Sequence, residues 1–153
     1  MKHVRNGDDY LSKGGVNEVS AANLKTVVDI LNATYYIDSL AESDTTSSYP
    51  NYRNKVTLNV TPVAGNYILQ YDACVANSSG GSDTWIKFHN GTNIYCETRI
   101  NCAISYANSG LECRSGFIKL TLTATEMNFY LDFCRQSSTA YIKNAKIMLR
   151  RTT

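Results

Sequence analysis

Tyr67-Ile68-Leu69-Gln70-Tyr71-Asp72-Ala73-Cys74-Val75 decides the fold. Its odd positions, Tyr67, Leu69, Tyr71, Ala73 and Val75, are apolar or aromatic. Gln70 and Asp72 fall on the other parity with Ile68 and Cys74. A period of two over nine residues is a strand with one face in a core, not a helix. The same pattern recurs outward from it. Val56, Leu58 and Val60 alternate upstream. Trp85-Ile86-Lys87-Phe88-His89 runs to Asn90-Gly91, the strongest short hairpin signal. Asn93 to Ile100 returns, with Ile94, Cys96 and Thr98 expected inward. Cys102 to Tyr106 is a weak strand, followed by a loop to Ser115. Phe117 to Leu122, Met127 to Phe133 and Ala140 to Leu149 complete the series. In the last of these, Tyr141, Ala145, Ile147 and Leu149 are expected on one face. Eight short strands at regular spacing predict a mainly β fold, an eight-stranded jelly-roll-like β-sandwich over residues 55–153.

Ahead of it the pattern changes. Gly14-Gly15-Val16-Asn17-Glu18-Val19-Ser20 reads as a loop whose Ser20 caps a helix. Leu24, Val27, Val28 and Leu31 then recur at i, i+3, i+4 and i+7, one apolar stripe. Residues 1–33 are therefore expected to be an N-terminal arm and one short α-helix. Thr34-Tyr35-Tyr36-Ile37 extends that helix or begins a strand. Residues 34–54, with Ser43 to Ser48 and Pro50 inside them, read as a linker.

Composition bounds the function. The chain has 153 residues, 11 of them tyrosine, which is a β-sheet palette. A net charge of +2 gives no footprint for nucleic acid. No apolar run reaches the roughly 20 residues of a membrane span. Met1 to Asp9 lacks an apolar core, so no signal peptide is expected. The five cysteines show no C-x-x-C spacing, so neither a metal nor a cofactor is expected. Free buried thiols are the expectation, with a Cys102–Cys113 bridge as the alternative.

Chemistry is sparse. His89 sits at a strand end where Asp83 or Asp132 could approach it, and no serine beside it has an elbow motif. Asp72, Glu97 and Asp132 are not paired by anything in the sequence. An enzyme is not expected. Trp85, Tyr95 and Tyr106 lie near polar loops, where flat rings flanked by hydrogen-bonding groups stack on sugars. Against that stands a core role for Trp85. Lys143, Lys146, Arg150 and Arg151 read as a solvated strand face.

Two segments carry a resemblance. Leu11-Ser12-Lys13-Gly14-Gly15-Val16-Asn17-Glu18-Val19-Ser20-Ala21-Ala22-Asn23-Leu24-Lys25 resembles the Gly-Gly-x-Asn-Glu-Val-Ser/Thr-Ala segment near the N-terminus of tailed-bacteriophage head-fibre and tail-fibre proteins. Gly116-Phe117, Leu120 to Ala124, Phe129 to Phe133 and Thr139 to Arg150 are similar to jelly-roll modules of phage fibre and capsid decoration proteins. The resemblance implies a virion protein assembled in a bacterial cytoplasm, held on phage capsid or tail proteins by its N-terminus and forming a homotrimer. Val19, Leu24, Val27, Val28 and Leu31 would make the virion or oligomer contact. Trp85, Tyr95 and Tyr106 would touch host-surface glycans in the alternative, a tail-associated adhesin. Fibre proteins place a long shaft between anchor and head. Here 21 residues span at most about 70 Å, and no heptad is visible. A compact knob is therefore expected.

Overall fold

A computed structural model describes residues 33–108 and 110–152. Nine strands run along this part of the chain: β1 (Thr34–Ser39), β2 (Ser43–Thr45), β3 (Arg53–Val60), β4 (Gly65–Asn77), β5 (Ser82–His89), β6 (Ile94–Cys102), β7 (Glu112–Leu122), β8 (Met127–Arg135) and β9 (Ala140–Thr152). One sheet has the order β1-β9-β4-β7, with β2 also on β9. The other has the order β3-β8-β5-β6. Every strand pair is antiparallel. Setting β2 aside, the pairs nest. The first strand lies beside the last, β3 beside β8, β4 beside β7 and β5 beside β6. That nesting is a long hairpin wrapped into two sheets, the jelly-roll arrangement.

The alternation that predicts β4 is realised residue by residue. Tyr67, Leu69, Tyr71, Ala73 and Val75 are all buried. They meet Val56 and Leu58 of β3, Ile86 and Phe88 of β5, and Phe129, Leu131 and Phe133 of β8 in one core. Tyr67 can be buried because its hydroxyl donates to the Val63 carbonyl at 2.7 Å. Tyr71 lies flat under β7 because its register partner is Gly116. A Cβ there would sit 2.6 Å from the Tyr71 ring. The Asn90-Gly91 hairpin forms as expected: Gly91 takes φ 90°, and Asn90 Oδ1 accepts from the backbone N–H of Asn93 at 2.7 Å.

Four expectations are corrected. The stretch 34–54 is not a linker throughout. Tyr35 and Ile37 pack on the core, and β1 is the strand that closes the nested set. Its Ser/Thr/Asp-rich neighbourhood disguised it, because edge strands need few apolar residues. Conversely, Cys102 to Tyr106 is no strand: β6 ends at Cys102 and Tyr106–Asn108 forms a 3-10 turn. The faces of β9 also switch parity. The register with β4 shifts between Asp72 and Cys74, and Asn144 takes φ 51° in a β-bulge. Ile142 and Ala145 are therefore both buried, and Tyr141 points outward. Another shift, between Phe88 and His89, leaves Ile94 59% exposed and turns Tyr95 toward the core.

Cysteine pairing follows from register. Cys74 and Cys113 are direct partners across β4 and β7 and form the disulfide. Cys102 is not bridged. It is buried in the core, 3.8 Å from the Thr84 hydroxyl. Cys96, Cys102 and Cys134 are free.

Candidate functional site

The outer face of the four-stranded sheet carries the densest constellation of side chains. Asp83, Trp85, Lys87 and His89 point outward from β5, because Thr84, Ile86 and Phe88 take the inward parity. Tyr130, Asp132 and Cys134 do so from β8, and Glu97, Arg99 and Asn101 from β6. Cys134 is nevertheless fully buried and Asp132 is 9% exposed.

The cover comes from the chain between β2 and β3. Ser47 accepts from the Arg135 backbone N–H at 3.0 Å, and Tyr49 N–H donates to the Arg135 carbonyl at 2.9 Å. The two bonds fasten residues 46–52 across the sheet as a strap. The Arg135 side chain adds a bond to the Thr46 carbonyl. Tyr49 then stacks on Trp85, with centroids 4.5 Å apart. Tyr52 meets Tyr49 edge-on and lies under the Lys87 ammonium at 4.2 Å. Its hydroxyl donates to Glu97 Oε1 at 2.6 Å. Burial, helped by that bond, pushes the Tyr52 phenol far above its ordinary range. Burial likewise pushes the Cys134 thiol up to about 11. Neither group supplies a nucleophile near neutral pH.

Around the strap the polar groups are paired. Trp85 Nε1–H donates to Gln136 at 3.3 Å. Asp83 takes Arg99 Nε at 3.2 Å and Asn101 Nδ2 at 3.0 Å. His89 Nε2 lies 2.8 Å from Asp132 Oδ2. His89 Nδ1 accepts from the Gly91 backbone N–H at 3.0 Å, which places the ring proton of the neutral form on Nε2. Asn54 donates to the other oxygen of Asp132 at 2.7 Å. Of the two carboxylates named in sequence, Asp132 is thus the one that reaches His89. Both ring nitrogens are engaged, among the described residues no hydroxyl is bonded to either, and the pair with Asn54 ties β3, β5 and β8 together. Glu97 and Asp132 are each held by their own partners, and Asp72 lies on the other sheet. Among the described residues no cluster of His, Cys, Asp or Glu could hold a metal ion, and no helix is long and apolar enough to cross a membrane.

The three aromatic residues proposed for glycans are not brought together. Trp85 is half-buried under Tyr49. Tyr95 packs on the core, its ring 5.8 Å from Phe88 and 6.3 Å from Phe129. Tyr106 belongs to the 3-10 turn, where it stacks on Tyr141 of the five-stranded sheet at 4.5 Å and its hydroxyl bonds to Glu42. Tyr49 and Tyr52 escaped the sequence reading because they sit in the apparent linker. Two aromatic rings flanking Pro50 in an otherwise polar stretch were the available signal. Val19, Leu24, Val27, Val28 and Leu31 lie outside the described residues.

No protein-family model matches the chain, and neither does any curated protein sequence. Solved structures do match. T=1 particles derived from infectious bursal virus align over 78% of this chain and 32% of theirs, at TM-score 0.55 and 8% identity. The infectious bursal disease virus VP2 subviral particle gives 0.54 and 6% identity over 78% and 33%. Eiger TNF from S. frugiperda gives 0.52 and 9% identity over 80% of this chain and 93% of its own. The chain thus spans about a third of the viral proteins and nearly all of the TNF chain. At such identities the likeness is one of fold, and it places this chain among jelly-roll-like β-sandwiches of the kind found in viral capsid proteins and TNF.

Proposed function

We propose that this chain is a bacteriophage virion structural protein of the capsid-decoration or head-fibre type, assembled in the bacterial cytoplasm. Its N-terminal segment holds it to phage capsid or tail proteins, as a homotrimer, and the sandwich projects as a knob without enzymatic activity. The observation that carries this reading is where the nested strand set begins. The nested pairs all lie within Thr34–Thr152, and the Gly14-to-Lys25 segment that resembles phage attachment sequences lies upstream of them. Residues 26–33 separate that segment from β1, a stretch too short for a long shaft. The likeness of fold to viral capsid chains supports the same reading. Removal of residues 1–33 is expected to abolish association with purified particles, read by mass spectrometry and cryo-EM, while the β-sheet signal in circular dichroism and the melting of the sandwich stay unchanged. Truncated chains that decorate particles normally would refute the anchor.

A second reading, an adhesin contacting host glycans, draws on Tyr49. It is 45% exposed and backed by Trp85, which bonds to Gln136 and has Arg99 as its register partner. Flat rings beside such donors suit a sugar face. A glycan array compares the two: no hits, and unchanged phage adsorption by Tyr49→Ala, remove the adhesin and leave the virion role standing.

A further inference from the structure

We propose that the outer face of the five-stranded sheet is a contact between two copies of this chain, packed face to face about a dyad that lies in the interface and runs across the strands. The register builds this face in rows. In the central row Tyr36 is opposite Met148, Met148 opposite Gln70, and Gln70 opposite Phe117. Tyr36 is 66% and Phe117 74% exposed, so two large apolar rings stand at the two ends of one row. The row on one side reads Thr34, Arg150, Ile68, Lys119. The row on the other reads Asp38, Lys146, Asp72, Ser115. One flank of the apolar row is therefore cationic, and the other is two carboxylates around a lysine.

A dyad of this direction keeps each strand over its own copy and reverses the rows. The central row meets itself. The Arg150 and Lys119 row of each copy meets the Asp38 and Asp72 row of the other. Directly beneath Arg150 would lie Lys146, but stacked sheets turn by about 30°. At a row spacing of about 6.8 Å that turn moves Arg150 sideways by about 3.4 Å, most of a strand spacing. Lys146 has Asp38 on one side and Asp72 on the other, so either sense of turn brings Arg150 to a carboxylate. Charge thus selects a second copy, in one orientation. The opposite dyad, along the strands, would set cationic row on cationic row. Four strands and three rows cover about 19 by 20 Å, the small end of specific contacts, so the association is weak and depends on concentration. The outer face of the four-stranded sheet offers no such surface, because residues 46–52 already cross it.

The test uses the full chain in sedimentation velocity and light scattering over a wide range of concentration. The expected result is one doubling of mass, from whatever state the chain holds when dilute, and its loss in Phe117→Asp. Two further chains fix the orientation. Arg150→Glu with Lys119→Glu makes both flanks acidic, and Asp38→Lys with Asp72→Lys makes both cationic. Each alone should fail to double, and an equal mixture should regain the doubling. Asp38, Phe117, Lys119 and Arg150 are exposed, and Asp72 is half-buried with a bond from Gln70 at 3.2 Å; circular dichroism checks that each variant is folded. A mass that never changes, a step other than doubling, a Phe117→Asp chain that associates like the parent, or a mixture that stays apart overturns the proposal.

Discussion

The two outer faces of the sandwich are built from the same alternation and end up opposite in character. On the four-stranded sheet, outward side chains are sealed by the chain's own residues: Tyr49 on Trp85, Tyr52 over Cys134, and every charge set against a partner. On the five-stranded sheet, Tyr36 and Phe117 stand in solvent. The difference lies in where the chain goes after β2. Residues 46–52 leave one sheet and cross the other. A sandwich is thus a core with two surfaces whose fates are decided by connections, not by strands. The strap is also why an outward-facing cysteine can be as buried as a core leucine.

This contrast can be broken. Trp85→Ala removes a ring stacked on Tyr49 and bonded to Gln136. It is expected to cost about 2–3 kcal/mol in urea unfolding, toward the low end for a large aromatic because the site is half-buried. The matching change on the open face, Phe117→Ala, is expected to cost under about 0.5 kcal/mol. Equal losses would mean that the strap is decoration rather than structure. Limited proteolysis sharpens the point: Trp85→Ala should open cleavage between 46 and 52, and Phe117→Ala should not.

Alkaline pH probes the sealed face next. The Cys134 thiol rises from 9.0 to about 11 on folding, and the Tyr52 phenol rises as well. Above the ordinary thiol pKa the unfolded chain gives up protons that the folded chain keeps. The unfolded state then binds fewer protons, and stability falls with pH. Stability should therefore hold below about pH 9 and decline above it. The decline should be shallower in Cys134→Ala. A pH profile identical in the two proteins would show that burial under the strap does not set the thiol. Tyr52→Phe is a smaller change, about 1 kcal/mol, since it loses one bond to Glu97 at a half-buried site. Its ring, still under Lys87, should leave the strap in place.

The contrast also marks how far the sequence could be read. β3 to β9 are visible because each buries one face, and Tyr67 to Val75 suffices to fix the class. β1 is not, because half of its residues face water and its inward Tyr35 and Ile37 abut an apparent helix. Parity fails where a bulge intervenes: nothing around Asn144 says that Ile142 and Ala145 will share a face. The Cys74–Cys113 pair needs the β4–β7 register, fixed by contacts 39 residues apart in sequence. The aromatic cluster was half-legible. Trp85 stands out, but its partners Tyr49 and Tyr52 come from a stretch whose serines and threonines read as slack.

The position of β9 carries a consequence for how the protein is made. Among the described residues β1 has β9 as its one sheet neighbour, and Thr34 pairs with Arg150. During synthesis β1 emerges first of the nine strands and must wait for the last before it can join a sheet. A ribosome-bound chain that has produced β8 still lacks the strand that joins β1 to β4. Folding of the sandwich thereby waits for β9 rather than growing from the N-terminal end. A segment just upstream of β1 that binds other proteins would be available long before its own domain exists.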